Sequence, residues 1–235
     1  EIVMINDAYD VVITEEASVI EHRFKEFNKK VVFGTQDSLM SNLVFSKCMN
    51  TILCCGNMIG YVKYLKIIIN MFYKYKELWI KYNNDDQLVL NDICNKNPFF
   101  REIVGADIKR NLFFVVSDDN RYFNKNYITK NLIKDLDVKN GKLINTNLNR
   151  TVCVLHLSAL MNGNYYLKKL NYNVDKVKLN GFVYYKFQQF LNLYLKYILF
   201  FVVIIIFLVL ISFKKQRKLI FFFEIYPADA MMVQW

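Results

Sequence analysis

Apolar positions in this chain come in short runs whose spacing switches between that of strands and that of helices. Ile2 to Val12 reads as one buried strand, and Glu15 to Lys29 as a helix with an acidic first turn. Val31-Val32-Phe33-Gly34 reads as a second short buried strand. Leu53 to Tyr61 is a strand or loop containing Gly56 and Gly60. From Val62 to Lys81, Tyr64, Ile67, Ile68, Met71 and Phe72 recur at helical spacing with lysines between them, the pattern of a core-facing stripe. Asp85-Asp86-Gln87 then opens a helical segment running from Leu88 to Cys94. Strands that alternate with helices predict an α/β sandwich with a mostly parallel sheet. After Leu112 the runs shorten to FFVV and to Thr151–Ser158, and Lys139-Asn140-Gly141-Lys142 has the chemistry of a hairpin turn.

One run has no period at all. Tyr197 to Phe213 carries no charge and is followed at once by Lys214-Lys215-Gln216-Arg217-Lys218. About 17 residues at 1.5 Å each span roughly 25 Å, the short end for a bilayer core, and Leu191 to Leu195 extend it. The expectation is a single transmembrane helix near the C-terminus. The basic cluster places its own side in the cytosol, although Lys186 and Lys196 weaken that bias on the other flank. The expected organisation is a domain over 1–175, a juxtamembrane segment over 176–196, a transmembrane helix over 197–213 and a basic tail over 214–235. Residues before about 190 would face the lumen of the endoplasmic reticulum or Golgi, or the exterior.

Composition adds to this picture. The chain has 235 residues, 54% of them hydrophobic and 16% aromatic, with much of the excess in the C-terminal run. That length holds one full domain with a core, or one domain and a tail. The net charge of +10 is spread along the chain, which fits anionic lipid on one side and phosphate-bearing ligands on the other. No nucleic-acid-binding motif accompanies the charge, so no nucleic-acid partner is expected. Cys48, Cys54, Cys55, Cys94 and Cys153 form neither a C-x-x-C pair nor a zinc spacing; in an oxidising lumen they allow one disulfide or two, with the pairing open. Asn149-Arg150-Thr151 is an N-glycosylation sequon, usable if the loop is exposed in a lumen.

Candidate chemistry begins at the end of the first strand, where Asp7-Ala8-Tyr9-Asp10 brings two carboxylates close together. Such a pair suits a hard divalent cation that shares its remaining positions with a nucleotide diphosphate, and a turn with solvated carboxylates has the same pattern. Of the two histidines, His22 lies in a surface-type helical context beside Arg23. His156 ends an otherwise apolar strand, where an imidazole needs a partner.

Asp7 to Val11, Lys30 to Gly34, Cys55 to Tyr61, Asn84 to Leu88, and Asn140 to Lys142 with Val152 to His156 together resemble, in order and spacing, the glycosyltransferase domain of the procollagen lysyl hydroxylases and their viral relatives. Asp7-Ala8-Tyr9-Asp10-Val11 is similar to that family's D-x-Y-D-V motif and Lys30 to Gly34 to the strand that follows it. Cys55-Gly56-Asn57-Met58-Ile59-Gly60-Tyr61 resembles S-G-G-F-I-G-Y, and Asn84-Asp85-Asp86-Gln87-Leu88 resembles D-D-D-Q-L. Asn140-Gly141-Lys142 with Val152 to His156 resembles an N-G-R turn and a strand ending in a metal-binding histidine. The resemblance extends from residue 1 to about 160.

That resemblance implies a GT-A-like fold, N-terminally truncated, with Asp7, Asp10 and His156 holding Mn²⁺. It implies Asp86 and Asp85 in catalytic roles across the sugar, with Asp86 the more direct, while Gly56 and Gly60 let backbone approach the sugar pocket. Lys168 would meet the diphosphate. The implied activity moves a hexose from a UDP-sugar to a hydroxyl, with hydroxylysine or galactosylhydroxylysine of collagen-like protein as acceptor. No hydroxylase activity is implied, because the chain has no H-x-D motif.

Departures stand beside the likeness. His156 is followed by Leu157-Ser158-Ala159-Leu160 where the family has G-N-G-P-T-K, with Asn162-Gly163-Asn164 and Lys168 a few residues later. Asn57 replaces the second glycine of S-G-G, and the C-W-P stretch after the V-V-F strand is missing. The chain starts at the D-x-Y-D motif, downstream of the family's nucleotide-binding strands, as a truncated sequence or an inactive remnant would. The alternatives to an enzyme are a catalytically inactive glycosyltransferase-like membrane protein that binds a glycan or protein partner, and a membrane protein with no sugar chemistry.

Overall fold

The computed structural model describes residues 1–8, 10–36, 39–116, 133, 135–158, 164–172, 197, 199–209 and 211. It divides into two units, Glu1–Phe187 and Gln188–Trp235.

Within the first unit the chain runs β1 (Ile2–Asn6), β2 (Val11–Ile13), α1 (Ala17–Glu26), β3 (Val31–Thr35), α2 (Leu39–Val44), β4 (Leu53–Tyr61), α3 (Val62–Lys74), α4 (Lys76–Lys81), α5 (Asp86–Lys96), α6 (Pro98–Ile103), β5 (Val104–Ala106) and β6 (Phe113–Val115). It continues through β7 (Leu136–Lys139), β8 (Lys142–Asn145), β9 (Arg150–Thr151), β10 (Val154–His156) and α7 (Asn164–Lys169).

The fold is mixed α/β, but the expectation of a mostly parallel sheet is corrected. One sheet has the order β1-β4-β3-β5 and another β2-β10-β6. Among the described residues only β3 with β5 and β6 with β10 pair in parallel, whereas β4 runs antiparallel to both β1 and β3. Between β3 and β4 the chain carries only the six-residue α2, about 9 Å long, in place of a helix that spans the sheet, and β4 returns beside β3 in the opposite direction.

The apolar run at the start is two strands rather than one. β1 pairs with β4, and β2 pairs with β10 in the other sheet, so the chain changes sheets between Asn6 and Val11. Asp7 and Asp10 sit at this switch. The helix expected over Glu15–Lys29 is shorter: Glu16 is its N-cap and the acidic residues precede its first turn. The long helix expected over Val62–Lys81 breaks at Tyr75 into α3 and α4.

β3 is buried on both faces, as the continuous V-V-F run predicts. Val31 and Phe33 face one apolar cluster, shared with Leu65, Ile68, Leu90, Ile93 and Phe100 of α3, α5 and α6. Val32 faces another, made with Ile20 and Phe24 of α1, Phe113 and Val115 of β6 and Val154 of β10. The alternation follows from the two-residue period of a strand. Behind β6 and β10 a third cluster joins Leu136, Leu143, Leu155 and Leu157 to Tyr166 and Leu167 of α7.

Asp107 stitches the sheets together. Its backbone N–H donates to Phe33 O, and its buried carboxylate accepts from the N–H groups of Asn111, Leu112 and Phe113 at 2.7, 2.7 and 2.8 Å. The Lys139–Lys142 turn forms as predicted, with Asn140 and Gly141 at positive φ (51° and 71°) between β7 and β8. Of the cysteines, Cys48 and Cys94 form a disulfide, and Cys54, Cys55 and Cys153 are free. Asn149 of the sequon is exposed, and Thr151 accepts a 2.7 Å hydrogen bond from Arg23.

In the second unit residues 199–209 are helical, with exposed apolar side chains on every side. Among the described residues no helix is long and apolar enough to cross a membrane. The expected span of Tyr197–Phe213 includes positions 198, 210, 212 and 213, which lie outside the described residues, as do the basic cluster Lys214–Lys218, the juxtamembrane segment and the tail.

Candidate metal centre at the sheet switch

Three elements deliver Asp7, Asp10 and His156 to one point. Asp7 follows β1, and its N–H donates to Gly56 O of β4 at 2.9 Å. Asp10 precedes β2, and its carbonyl accepts from Leu157 N–H just beyond β10 at 2.8 Å. His156 ends β10, paired with Val11 on one side and Val115 on the other. Backbone hydrogen bonds thus fix Asp7 against β4 and Asp10 against the chain just beyond His156. One ligand atom from each residue lies within 4.8 Å of the other two. His156 Nε2 is 3.4 Å from Asp10 Oδ2 and 3.6 Å from Asp7 Oδ2.

Exposure grades across the group. The side chain of His156 is 4% exposed and that of Asp10 15%, while that of Asp7 is 56% exposed and opens the site to solvent. Burial works to lower the pKa of His156, but its hydrogen bond to Asp10 and the neighbouring Cys54 prevail and raise it to about 10. A site that draws a proton onto an imidazole between two carboxylates is one that welcomes positive charge.

β4 makes room for the group. Phe33 pairs with Met58 and Gly34 with Cys54, so Cys55, Gly56 and Asn57 have no partner on β3 and bulge toward β1. A Cβ on Gly56 would come within 2.6 Å of Asp7 Cγ and 2.9 Å of His156 Cε1, so a side chain at this position would have to push the Asp7 carboxyl aside. Gly34 serves the same bulge, since a Cβ there would press on Phe113, Val115 and Asn57 at 3.1–3.2 Å.

The other expected site residues fall in different places. Gly60 is packed against the neighbouring strand, where a Cβ would meet Val31 Cγ2 at 2.7 Å and Lys30 O at 2.8 Å; its closeness is to β3 rather than to the carboxylates. Asp85 is the N-cap of α5, accepting from Leu88 N–H at 3.0 Å. Asp86 follows in the first turn. Its side chain reaches solvent, yet the protein crowded around the carboxyl raises its pKa, the charges of Asp85 and Asp7 add to the rise, and the Cys55 thiol and the Gln87 backbone offset part of it. The thiol of Cys55 is pushed well up, chiefly by burial and then by Asp86. Asp86 and Cys55 therefore belong to the electrostatic surroundings of Asp7. Lys168 stands exposed near the end of α7, whose Tyr166 and Leu167 pack into the cluster that contains Leu155 and Leu157 on either side of His156. His22 is on the surface, 3.6 Å from Glu26, as expected.

Asn57, Cys54 and Gly34 were not expected at the site. Asn57 is completely buried and hydrogen-bonds His156 Nδ1, and Cys54 Sγ lies 3.7 Å from the same nitrogen. The one signal in the sequence was Asn57 itself, an amide where the resembled segment has glycine. A separate cavity of about 620 Å³ lies at the opposite ends of β6 and β10, between the end of α1 and the Ala106–Asn111 turn.

The fold and the site thus define a mixed α/β protein with a candidate divalent-cation centre built from strand ends. Residues 1–114 match the family model of the PLOD GT domain, the glycosyltransferase domain of the lysyl hydroxylases, and the match supports a glycosyltransferase-like function in general terms. It contains Asp7, Asp10, Gly56, Asp85 and Asp86; His156 lies beyond it and is brought in by the fold. No curated protein matches the chain.

Proposed function

We propose that this protein is a metal-dependent glycosyltransferase that moves a hexose from a UDP-sugar to a hydroxyl, with hydroxylysine or galactosylhydroxylysine of collagen-like protein as the acceptor class. The observation that carries this reading is the convergence of Asp7, Asp10 and His156 at one sheet switch.

Two carboxylates and one imidazole form a donor set suited to Mn²⁺, and Gly56 leaves the space they need. In such a site the cation, when bound, supplies Lewis-acid charge to a departing diphosphate. Asp7 and Asp10 would hold it from the strand switch, and His156 from the buried side. Asp86 is suited to act at the sugar or the acceptor hydroxyl: a carboxyl with a raised pKa is a better base than an ordinary one. Asp85, engaged as an N-cap, would position α5 and so Asp86. Lys168, exposed on α7, is a proposed phosphate contact. A membrane tether is supported by the uncharged run of Tyr197–Phe213 and by the apolar side chains exposed all round residues 199–209.

The test is thermal unfolding of the full chain with Mn²⁺ and UDP, beside an Asp7→Ala, Asp10→Ala double variant. Ligand at a hundredfold excess over its dissociation constant stabilises by about 2.7 kcal/mol. Metal-dependent stabilisation by UDP that the double variant loses is the expected result; a folded wild type that UDP and Mn²⁺ leave unmoved would overturn the reading.

A further inference from the structure

The two ring nitrogens of His156 meet different surroundings. Nε2 faces Asp7 and Asp10, and Nδ1 faces the buried interior, where Asn57 Oδ1 is its hydrogen-bond partner. Asn57 is itself held. Its Nδ2 donates to Asn6 Oδ1 at 2.9 Å, and Asn6 and Asn57 are cross-strand partners on β1 and β4. The Cys54 sulfur lies 3.7 Å from Nδ1 and 3.9 Å from the same Oδ1, to which its thiol can donate weakly.

Orientation of this amide decides where the imidazole proton sits. A neutral imidazole has one N–H and one lone pair, and a cation takes the lone pair. With Asn57 Oδ1 toward the ring, Nδ1 carries the proton and Nε2 is free to ligate. With the amide reversed, its NH₂ would donate to Nδ1 and the proton would sit on Nε2, between the carboxylates. Reversing the amide would require Asn6 to turn over with it and would face the Cys54 thiol with an NH₂ in place of its acceptor.

We propose that Asn57 is a positioning residue for the metal centre: held by Asn6, it accepts the Nδ1–H of His156 and thereby reserves Nε2 for a divalent cation. This rests on the reading of Asp7, Asp10 and His156 as a metal site. Asn57 occupies a glycine position of the resembled segment, so the device belongs to this chain. It also ties β10 to β1 through β4, joining across the sheets the strand that ends in His156 and the strand that leads into Asp7.

The experiment measures Mn²⁺ affinity of the full chain from the paramagnetic resonance signal of free Mn²⁺, for the wild type, Asn57→Leu, Asn57→Asp and the Asp7→Ala, Asp10→Ala pair. Folding of each is followed by circular dichroism in chelator. Asn57→Leu removes the acceptor at similar volume and is expected to weaken Mn²⁺ binding about 10–100-fold, the usual cost of losing a partner of a ligating histidine. Asn57→Asp keeps an acceptor toward Nδ1, and Asn6 can turn its own NH₂ toward the new carboxylate, so binding as tight as wild type or tighter is expected. Retained affinity in a folded Asn57→Leu protein overturns the proposal. So does loss of affinity in a folded Asn57→Asp protein, because it would mean that Asn57 donates. Should Asn57→Leu fail to fold, the Asp variant decides alone. A wild type that does not bind Mn²⁺, or binds it as well without Asp7 and Asp10, overturns the metal site itself and with it this proposal.

Discussion

Gly56 and Asp7 are in contact across the β1–β4 edge so closely that a single methyl group on Gly56 would overlap the Asp7 carboxyl. The backbone N–H of Asp7 is also bonded to Gly56 O. The Asp7 side chain is half exposed and free to swing outward, so Gly56→Ala is expected to leave the domain folded and displace one metal ligand. Mn²⁺ affinity should fall by at least 10-fold, as for other losses at a ligand shell, with little change in the melting temperature measured in chelator. Calorimetric titration of the variant checks this.

His156 sets a pH dependence whose sign is fixed. Its pKa rises from the ordinary 6.5 to about 10 on folding of the metal-free protein, because Asp10 outweighs burial. A group raised on folding contributes stability that is complete below its unfolded pKa and is lost as pH climbs through its folded one. Denaturant unfolding in chelator should therefore show stability falling between pH 6.5 and 10. The thiol of Cys153, raised to about 11 by burial, adds to the fall at the alkaline end. Asp10→Asn should flatten the part due to His156. Saturating Mn²⁺, which needs the Nε2 lone pair, should stabilise more strongly as pH rises.

Asp85 and Asp86 are adjacent and differ in role. Asp85→Ala removes the cap of α5 and should cost about 1 kcal/mol of stability. Asp86→Asn removes a carboxylate held near two like charges, Asp85 and Asp7, and should leave stability unchanged or slightly higher. Transfer from a UDP-sugar should fall in Asp86→Asn by about 10²–10⁴-fold, the scale of general-base catalysis. Equal activity losses in the two variants at matched stability would contradict this division.

Asp107 is the test of the fold. Asp107→Ala leaves the N–H groups of Asn111, Leu112 and Phe113 without their acceptor, two of them fully buried. The expected cost is about 3–5 kcal/mol, from the penalty for orphaned buried donors. Equilibrium urea unfolding measures it, and a loss below about 1 kcal/mol, the net worth of one ordinary hydrogen bond, would show that water or rearranged backbone takes the place of the carboxylate.

What the chain spells out locally, the structure follows. The V-V-F run is buried on both faces because no polar side chain interrupts it, Asp85 caps the helix it precedes, and Asn140-Gly141 makes the turn that positive φ requires. The two carboxylates and the strand-ending His156, which the fold brings together, were also legible, because each carries chemistry readable at its own position. Tertiary structure alone decided the rest. The direction of β4 depends on its pairing with β1 and β3, the Cys48–Cys94 pairing on a distance closed across 46 residues, and the break between β1 and β2 on which sheet offers each a partner. Asn57 shows the limit most plainly. Its amide gains its role only from Asn6 on a neighbouring strand and His156 on another sheet, and hydrogen bonds between residues so distant in sequence exist only once packing has brought their strands together.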